Sequence, residues 1–217
     1  MKKISILKVI AVFELLLIFS VILLDIFIPT ILAFGIGSFF LLIRKEKFTD
    51  VGFKKQPKFL RMVGIVFLLA AVWTIIDYSV LLPLLSHITG MSQDLSDFAK
   101  LKGNTGFLLV MLAAKWTLAA FGEEIVYRGM IQNRIISIFE NKKIGVIVSI
   151  LASSFVFGFA HTEQGIIGIL ITMLDALFFS LIKLRFRNLW ASVLVHGFMN
   201  SIGMIVFYFT GPIYGLW

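Results

Sequence analysis

The sequence predicts an all-α fold, a polytopic bundle of about seven transmembrane helices. The chain has 217 residues, of which 59% are hydrophobic and only 15% are charged, and its mean hydropathy is +1.01. Soluble domains are about 45–50% apolar and about 25% charged, so almost no part of this chain is expected to be soluble. The apolar residues also form separate runs that are long enough to cross a bilayer, which takes about 17–25 residues.

Seven such runs follow one another, and each is predicted to form one membrane-spanning helix. They cover residues 6–24, 26–43, 59–84, 105–121, 144–160, 166–182 and 189–209. The first run resembles a signal sequence, but no small-residue cleavage site follows it, so we expect it to remain as a span. Only Asp25 and Pro29 separate the first two runs. A re-entrant hairpin is therefore the alternative for this pair.

The basic residues predict the orientation of the helices. They precede the first run as Lys2, Lys3 and Lys8, and they cluster again after the second, fourth and sixth runs. Cytoplasmic connections carry an excess of Lys and Arg, so the N-terminus is expected in the cytoplasm. The net charge of +8 is accordingly assigned to topology and to contact with anionic lipids, with no nucleic-acid partner.

The chain is expected to form one domain with two parts. The connection of residues 47–58 contains Gly52 and Pro57 and is the one plausible hinge. Residues 1–58 are predicted to form an N-terminal transmembrane hairpin with a basic cytoplasmic loop, and residues 59–217 the functional core. The absence of cysteine excludes disulfides, thiolate catalysis and cysteine-bound metal.

Two adjacent carboxylates follow the fourth apolar run. An acid at bilayer depth costs about 2.5–3.5 kcal/mol, and such acids are tolerated mainly where they have a function. Glu124 and Arg128 are spaced i, i+4, which favours an ion pair on one helix face. Glu123 lies about 100° away around the helix and has no neighbouring cation. This difference predicts that Glu124 is a structural anion and that Glu123 is a general base.

Two histidines lie in later apolar runs. His161 ends the fifth run, and His196 and Asn200 lie one turn apart on one face of the seventh. A histidine and an amide are suitable hydrogen-bond donors for a developing oxyanion. Asp175, in the middle of the sixth run, is a reserve candidate for the same cavity.

Other interpretations of these residues remain open. The Glu–Arg pair is also compatible with helix packing alone, and each polar side chain with interhelical hydrogen bonding. Two histidines and a glutamate can also bind zinc. The helical zinc-protease motif places two histidines at i, i+4 with a glutamate between them, however, and this chain lacks it. We therefore expect no cofactor, with zinc as the alternative.

Together these motifs resemble the CAAX-protease and bacteriocin-processing family of membrane-embedded endopeptidases, called Abi proteins in bacteria. The similar residues are Glu123-Glu124-x-x-x-Arg128, Phe157-x-x-x-His161 and His196-x-x-x-Asn200, in the family order. The resemblance covers roughly residues 105–205. It implies a glutamate-type intramembrane protease with its catalytic core on the four C-terminal helices and a cavity open to the cytoplasm or the membrane.

The resemblance also implies a role for each residue. Glu123 with His161 would activate water, His196 and Asn200 would hold the oxyanion, and Glu124 with Arg128 would support them. The expected substrate is a membrane-associated peptide or a prenylated protein, and the expected location is a bacterial cell membrane. The alternatives are a non-enzymatic bacteriocin-immunity or regulatory protein and a small transporter.

One geometric requirement follows from this assignment. On straight helices Glu123 would lie near the cytoplasmic end of the fourth span, and His161 near the outer end of the fifth. The rise of 1.5 Å per residue would then separate them by roughly 25 Å. We therefore expect the fourth helix to continue to about Ile138, so that Glu123 lies at mid-helix.

Overall fold

The computed structural model describes residues 6–215, and over this range the chain is helical, without a β-strand. The helices in this range are α1 (Ile6–Leu23), α2 (Pro29–Arg44), α3 (Phe59–Thr89), α4 (Thr105–Ile138), α5 (Lys142–Phe159), α6 (Gly165–Phe186) and α7 (Leu189–Thr210). Short 3₁₀ turns lie at Phe48–Val51, Ser96–Leu101 and Thr162–Gln164. The predicted all-α fold is confirmed.

Six of these helices are long and apolar enough to cross a membrane, and α2 is the exception. With 16 residues, α2 is about 24 Å long, less than the roughly 30 Å of a hydrocarbon core. It begins at Pro29, whose fixed φ suits the first turn of a helix. The predicted helical bundle stands, with six candidate spans and a shorter seventh helix.

Helix α4 continues well past the apolar run that predicts it. It extends for 34 residues from Thr105 to Ile138. Two stretches of it, Lys115–Glu123 and Ile125–Ile131, are π-helical. The expected continuation to Ile138 is confirmed, and Glu123 lies near the middle of the helix.

Several other helix ends differ from the predicted runs: α2 begins at Pro29 instead of residue 26, and α6 ends at Phe186 instead of residue 182. Two further differences have local reasons. Helix α3 continues to Thr89 instead of residue 84, through a π-helical turn at Asp77–Leu81 that ends two residues before Pro83. Proline lacks the N–H of a regular turn, and a wider turn accommodates it. Helix α5 begins at Lys142 instead of residue 144, because the Asn141 side chain accepts hydrogen bonds from the first free N–H groups.

The connections between helices alternate between two faces of the bundle. On one face, Leu189 N donates to Gly52 O at 2.9 Å, and Asn188 Nδ2 donates to Lys54 O at 2.8 Å. These contacts join the α2–α3 and α6–α7 connections. On the other face, Asp94 N donates to Gln164 O at 2.9 Å and joins the α3–α4 and α5–α6 connections.

We call the first of these the basic face and the second the acidic face. Among the described residues, the Lys and Arg residues that do not belong to the basic face are Lys100, Lys102, Lys115 and Arg128. The acidic face carries the exposed residues Asp25, Asp94, Asp97 and Glu163. Lys2 and Lys3, which support the predicted orientation, lie outside the described residues.

The N-terminal hairpin packs directly onto the rest of the bundle. Leu15, Ile18 and Ala33 of α1 and α2 share one hydrophobic cluster with Val126 and Ile131 of α4. A second cluster joins α3, α6 and α7. The division of the chain at residue 58 stays a prediction. The outer surface exposes many large apolar side chains, as expected where lipid replaces water.

Two glycines permit close helix approaches near the centre of the bundle. A Cβ at Gly197 of α7 would lie 2.4 Å from a ring carbon of Trp116 of α4. A Cβ at Gly158 of α5 would lie 2.7 Å from Ile169 O of α6. Any larger side chain at these positions would separate the helices that carry the candidate site.

Candidate active site

Four of the sequence-predicted residues line one cavity of about 160 Å³. Glu123 comes from the middle of α4, His161 from the end of α5, and His196 and Asn200 from α7. These four side chains therefore converge on one cavity, although they are widely separated along the chain. They are the ones that the predicted mechanism places next to the reacting group. The long α4 removes the separation expected for straight, shorter helices.

Glu124 and Arg128 lie behind this cavity and are completely buried. Glu124 Oε1 is 3.0 Å from an Arg128 guanidinium nitrogen, as the i, i+4 spacing predicts. The same oxygen accepts a hydrogen bond of 3.0 Å from His196 Nδ1. Glu124 thereby links the buried arginine to a histidine of the cavity wall.

Arg128 is fixed from several sides. It donates a hydrogen bond of 2.9 Å to Ala176 O of α6. Its guanidinium carbon lies 4.7 Å from the ring centre of Phe157 and 5.3 Å from that of Phe179. Aromatic faces attract cations electrostatically, most strongly where water is excluded. The arginine thus holds α4, α5 and α6 together behind the cavity.

His161 lies two residues beyond α5 and is oriented by the backbone of the last turn of that helix. Its Nδ1 donates a hydrogen bond of 2.8 Å to Phe157 O, one turn earlier. Because a carbonyl oxygen only accepts, Nδ1 carries the hydrogen, and Nε2 is left for the second contact of the ring. The Phe157-x-x-x-His161 spacing therefore fixes the tautomer as well as the position of the imidazole.

The adjacent glutamates differ in their hydrogen bonding. Within residues 6–215, Glu123 Oε2, Glu124 Oε2 and Asn200 Nδ2 are all buried without a hydrogen-bond partner. Glu124 is nevertheless held through Oε1 by Arg128 and His196, whereas Glu123 and Asn200 line the cavity. Buried polar atoms normally have a partner, so exceptions of this kind need an explanation. An acceptor and a donor held ready at one cavity can bind a polar group that enters it.

A network of polar side chains behind the cavity was not predicted from the sequence. Gln132 Nε2 donates to Ser180 Oγ at 2.8 Å and to Ser153 Oγ at 3.0 Å, and Lys183 donates to the Arg128 carbonyl. Lys183 was expected to belong to a basic loop only. The sequence did contain an indication of this network. Gln132 follows Arg128 at i, i+4 and therefore lies on the same helix face as Glu124 and Arg128, one turn further on.

Two aspartates also line the cavity. Asp175 was the reserve candidate, and its Oδ1 accepts a hydrogen bond of 2.8 Å from Trp73 Nε1. Asp77 of α3 is 6% exposed and lies beside Asp175. Asp77 had no assigned role, because the sequence does not reveal which residue of α3 faces α6.

In the part of the chain that the structure describes, no group of three or more His, Asp or Glu side chains has an arrangement that could hold a metal ion. Glu124, the carboxylate nearest to His196, is already paired with Arg128. The expectation that no cofactor is needed stays a prediction.

Fold and site together define a class, the multi-pass helical membrane proteins with a polar cavity lined by a carboxylate, two histidines and an amide. Residues 105–202 match the family model described as type II CAAX prenyl endopeptidase Rce1-like. This match confirms the predicted resemblance and supports an intramembrane protease. Comparisons with curated proteins and with solved structures gave no match. The roles assigned to individual residues stay predictions.

Proposed function

We propose that this protein is a glutamate-type intramembrane endopeptidase that cleaves a membrane-associated peptide or lipidated protein. The observation that carries the proposal is the convergence of Glu123, His161, His196 and Asn200 on one cavity. Among the buried atoms that lack a hydrogen-bond partner within residues 6–215, Glu123 Oε2 and Asn200 Nδ2 belong to these four residues, and they supply an acceptor and a donor suited to hydrolysis.

In the proposed reaction, Glu123 and His161 bind the attacking water. Glu123 takes a proton from this water while the oxygen attacks the carbonyl carbon of the scissile bond. The C–N bond of the tetrahedral intermediate then breaks, and Glu123 returns the proton to the leaving amine. Water is consumed, and a carboxylic acid and an amine are released.

His196 and Asn200 stabilise the oxyanion of this intermediate. Asn200 donates through Nδ2, and His196 through Nε2, because its Nδ1–H is directed to Glu124. For Nε2 to donate, the ring must carry both hydrogens. Glu124 is already paired with Arg128, so the oxyanion itself is the counter-charge for the imidazolium of His196. No metal takes part in this proposal.

The proposed setting is a bacterial cell membrane, with the basic face in the cytoplasm. The alternation of Lys- and Arg-rich connections with poor ones supports this orientation. Membrane lipids surround the apolar surface, and no nucleic-acid partner is proposed.

The proposed protease activity can be tested before the substrate is identified, by comparing the N-termini of membrane proteins between strains that differ only in this gene. The chromosomal gene would be replaced by Glu123→Gln, by His196→Ala or, as a matched control, by Glu140→Gln on the basic face. New N-termini are expected with the wild type and with Glu140→Gln, and not with the other two variants at equal protein levels. Identical N-termini in all four strains would reject the protease and leave the immunity or regulatory function.

A further inference from the structure

A second and larger cavity adjoins the one just described. It has a volume of about 550 Å³, and we call it the vestibule. Five residues line both cavities, namely Phe98, Lys115, Glu123, His161 and Gln164. Glu123 and His161, the proposed water-activating pair, therefore lie at the junction of the two cavities.

The vestibule opens at the acidic face. Its lining includes the α1–α2 turn with Asp25, the α3–α4 connection with Asp94 and Asp97, and the α5–α6 turn with Glu163. These four acids are exposed. Met111 of α4 also lines the vestibule, about three helical turns before Glu123 along the helix that leads away from this rim.

Toward the basic face, tightly packed groups separate the cavity from the surface. Arg128 and Gln132 are 0% and 2% exposed and are hydrogen-bonded to α6. At the same depth, a hydrophobic cluster packs α4 against α2, α7 and the α2–α3 connection, formed by Leu41, Val51, Ile125, Met130 and Leu189. A peptide chain could not pass this layer without disrupting buried hydrogen bonds and ion pairs.

We infer that the substrate reaches Glu123 through the vestibule from the extracytoplasmic side. This inference rests on the proposed function and on the proposed cytoplasmic location of the basic face. The substrate class is then a peptide segment that is exposed on the outer side of the membrane. This differs from the opening to the cytoplasm or to the membrane that the family resemblance implies, and it excludes a prenylated cytoplasmic protein as the substrate.

The absence of cysteine makes the access route directly measurable by labelling. The single-cysteine variants are Glu163→Cys at the rim, Met111→Cys in the wall and Lys55→Cys on the basic face. The matched control is Val110→Cys, next to Met111 on α4 but among the exposed apolar residues outside the vestibule lining. A sulfonated, membrane-impermeant maleimide would be added to spheroplasts before and after the membrane is opened.

Glu163→Cys and Met111→Cys are expected to react in intact spheroplasts, and Lys55→Cys only after opening. Reaction at Met111→Cys should also abolish the Glu123-dependent N-termini, whereas treatment of Val110→Cys should leave them unchanged. The inference is overturned if Glu163→Cys reacts only after opening, if Lys55→Cys reacts before it, or if modified Met111→Cys retains full cleavage. The labelling pattern does not depend on proteolysis. A result that contradicts the access route can therefore be distinguished from one that contradicts the proposed protease function.

Discussion

At the scale of single residues, the site depends on the different surroundings of two adjacent glutamates. Glu124 is completely buried and has two partners, Arg128 and His196, each at 3.0 Å. Glu123 reaches the cavity, and its Oε2 has no partner among the described residues. The same functional group is therefore held as a fixed anion at one position and left available for proton transfer at the next.

Neutralising each glutamate in turn should separate these two roles. Glu124→Gln leaves the Arg128 charge buried without its counter-ion, and removal of one partner of a buried pair costs about 3–5 kcal/mol of the free energy of unfolding. Glu123→Gln removes no ion pair and should unfold near the wild-type temperature while losing cleavage. Thermal unfolding in detergent, followed by tryptophan fluorescence, measures both variants. Equal stability of the two variants would contradict the division of roles.

Asn200 is expected to act on the rate of the chemical step. Removal of one oxyanion donor lowers kcat by about 10²–10³-fold in hydrolases, so Asn200→Ala should lose a factor of this size. Asn200→Asp retains the shape but replaces the donating amide by a carboxyl group, and it should be equally impaired. The measurement is the initial cleavage rate of a substrate that N-terminal sequencing has identified. An unchanged kcat for Asn200→Ala would remove this residue from the mechanism.

A chelator should leave the activity intact. Within residues 6–215, no group of three or more His, Asp or Glu side chains is arranged to hold a metal ion, and Glu124, the carboxylate beside His196, is paired with Arg128. Purified enzyme treated with 1,10-phenanthroline should retain its full rate, and elemental analysis should find less than stoichiometric zinc. Stoichiometric, tightly bound zinc together with inhibition by the chelator would favour the zinc alternative instead.

At the scale of helices, close packing at glycines sets the positions of the histidines. Gly158 lies one turn before His161, and a Cβ there would be 2.7 Å from Ile169 O and 2.9 Å from Met173 Cβ. Backbone oxygen cannot move aside as a flexible side chain does, so Gly158→Ala should displace α5 from α6.

We therefore expect Gly158→Ala to lower both the unfolding temperature and the cleavage rate. Overpacking of this kind typically costs about 1–3 kcal/mol. Gly64→Ala in α3 is the matched control, because a Cβ at Gly64 meets no atom within 4 Å. The two variants would be compared by thermal unfolding and cleavage at equal protein concentration, and similar losses in both would exclude a specific role of the α5–α6 contact.

Features of the helices that depend on residues close together in the chain could be predicted from the sequence. The i, i+4 spacing correctly predicts the contact of Glu124 with Arg128, and the meeting of Glu123 with His161 correctly requires a long α4. The π-helical turns of α4 were not predicted, because no residue pattern in them distinguishes them from an α-helix. The hydrogen bond from His196 to Glu124 was not predicted either, because it depends on how α7 packs against α4.

At the scale of the whole molecule, charge and topology agree. The connections with many Lys and Arg residues could be assigned to one side from the sequence, and the structure places them on one face. The position of the vestibule could not be assigned in this way, because its lining combines residues from α1, α2, α4, α5 and three connections. The vestibule depends on packing between segments that are distant in the chain, whereas the alternation of basic and non-basic connections can be read directly from the order of the residues.

The N-terminal hairpin should be a stabilising part of the bundle because its buried ion pair crosses the proposed boundary at residue 58. Arg134 of α4 donates to Glu14 of α1 at 2.7 Å and lies 2.7 Å from a carboxylate oxygen of Glu46. The Glu14 side chain is completely buried, whereas that of Glu46 is 30% exposed. Loss of Glu14 leaves a buried arginine with only the more exposed partner.

Glu14→Gln should therefore lower the free energy of unfolding by about 3–5 kcal/mol, as expected for a broken buried pair. Glu46→Gln, the matched control, should cost less, because water screens a partly exposed carboxylate and Arg134 keeps Glu14. Denaturant unfolding of the full chain in mixed micelles measures both variants. One cooperative transition, displaced more by Glu14→Gln, is expected if the hairpin and the core unfold together. Separate transitions, with the core unaffected by Glu14→Gln, would instead show that residues 1–58 form an independent unit.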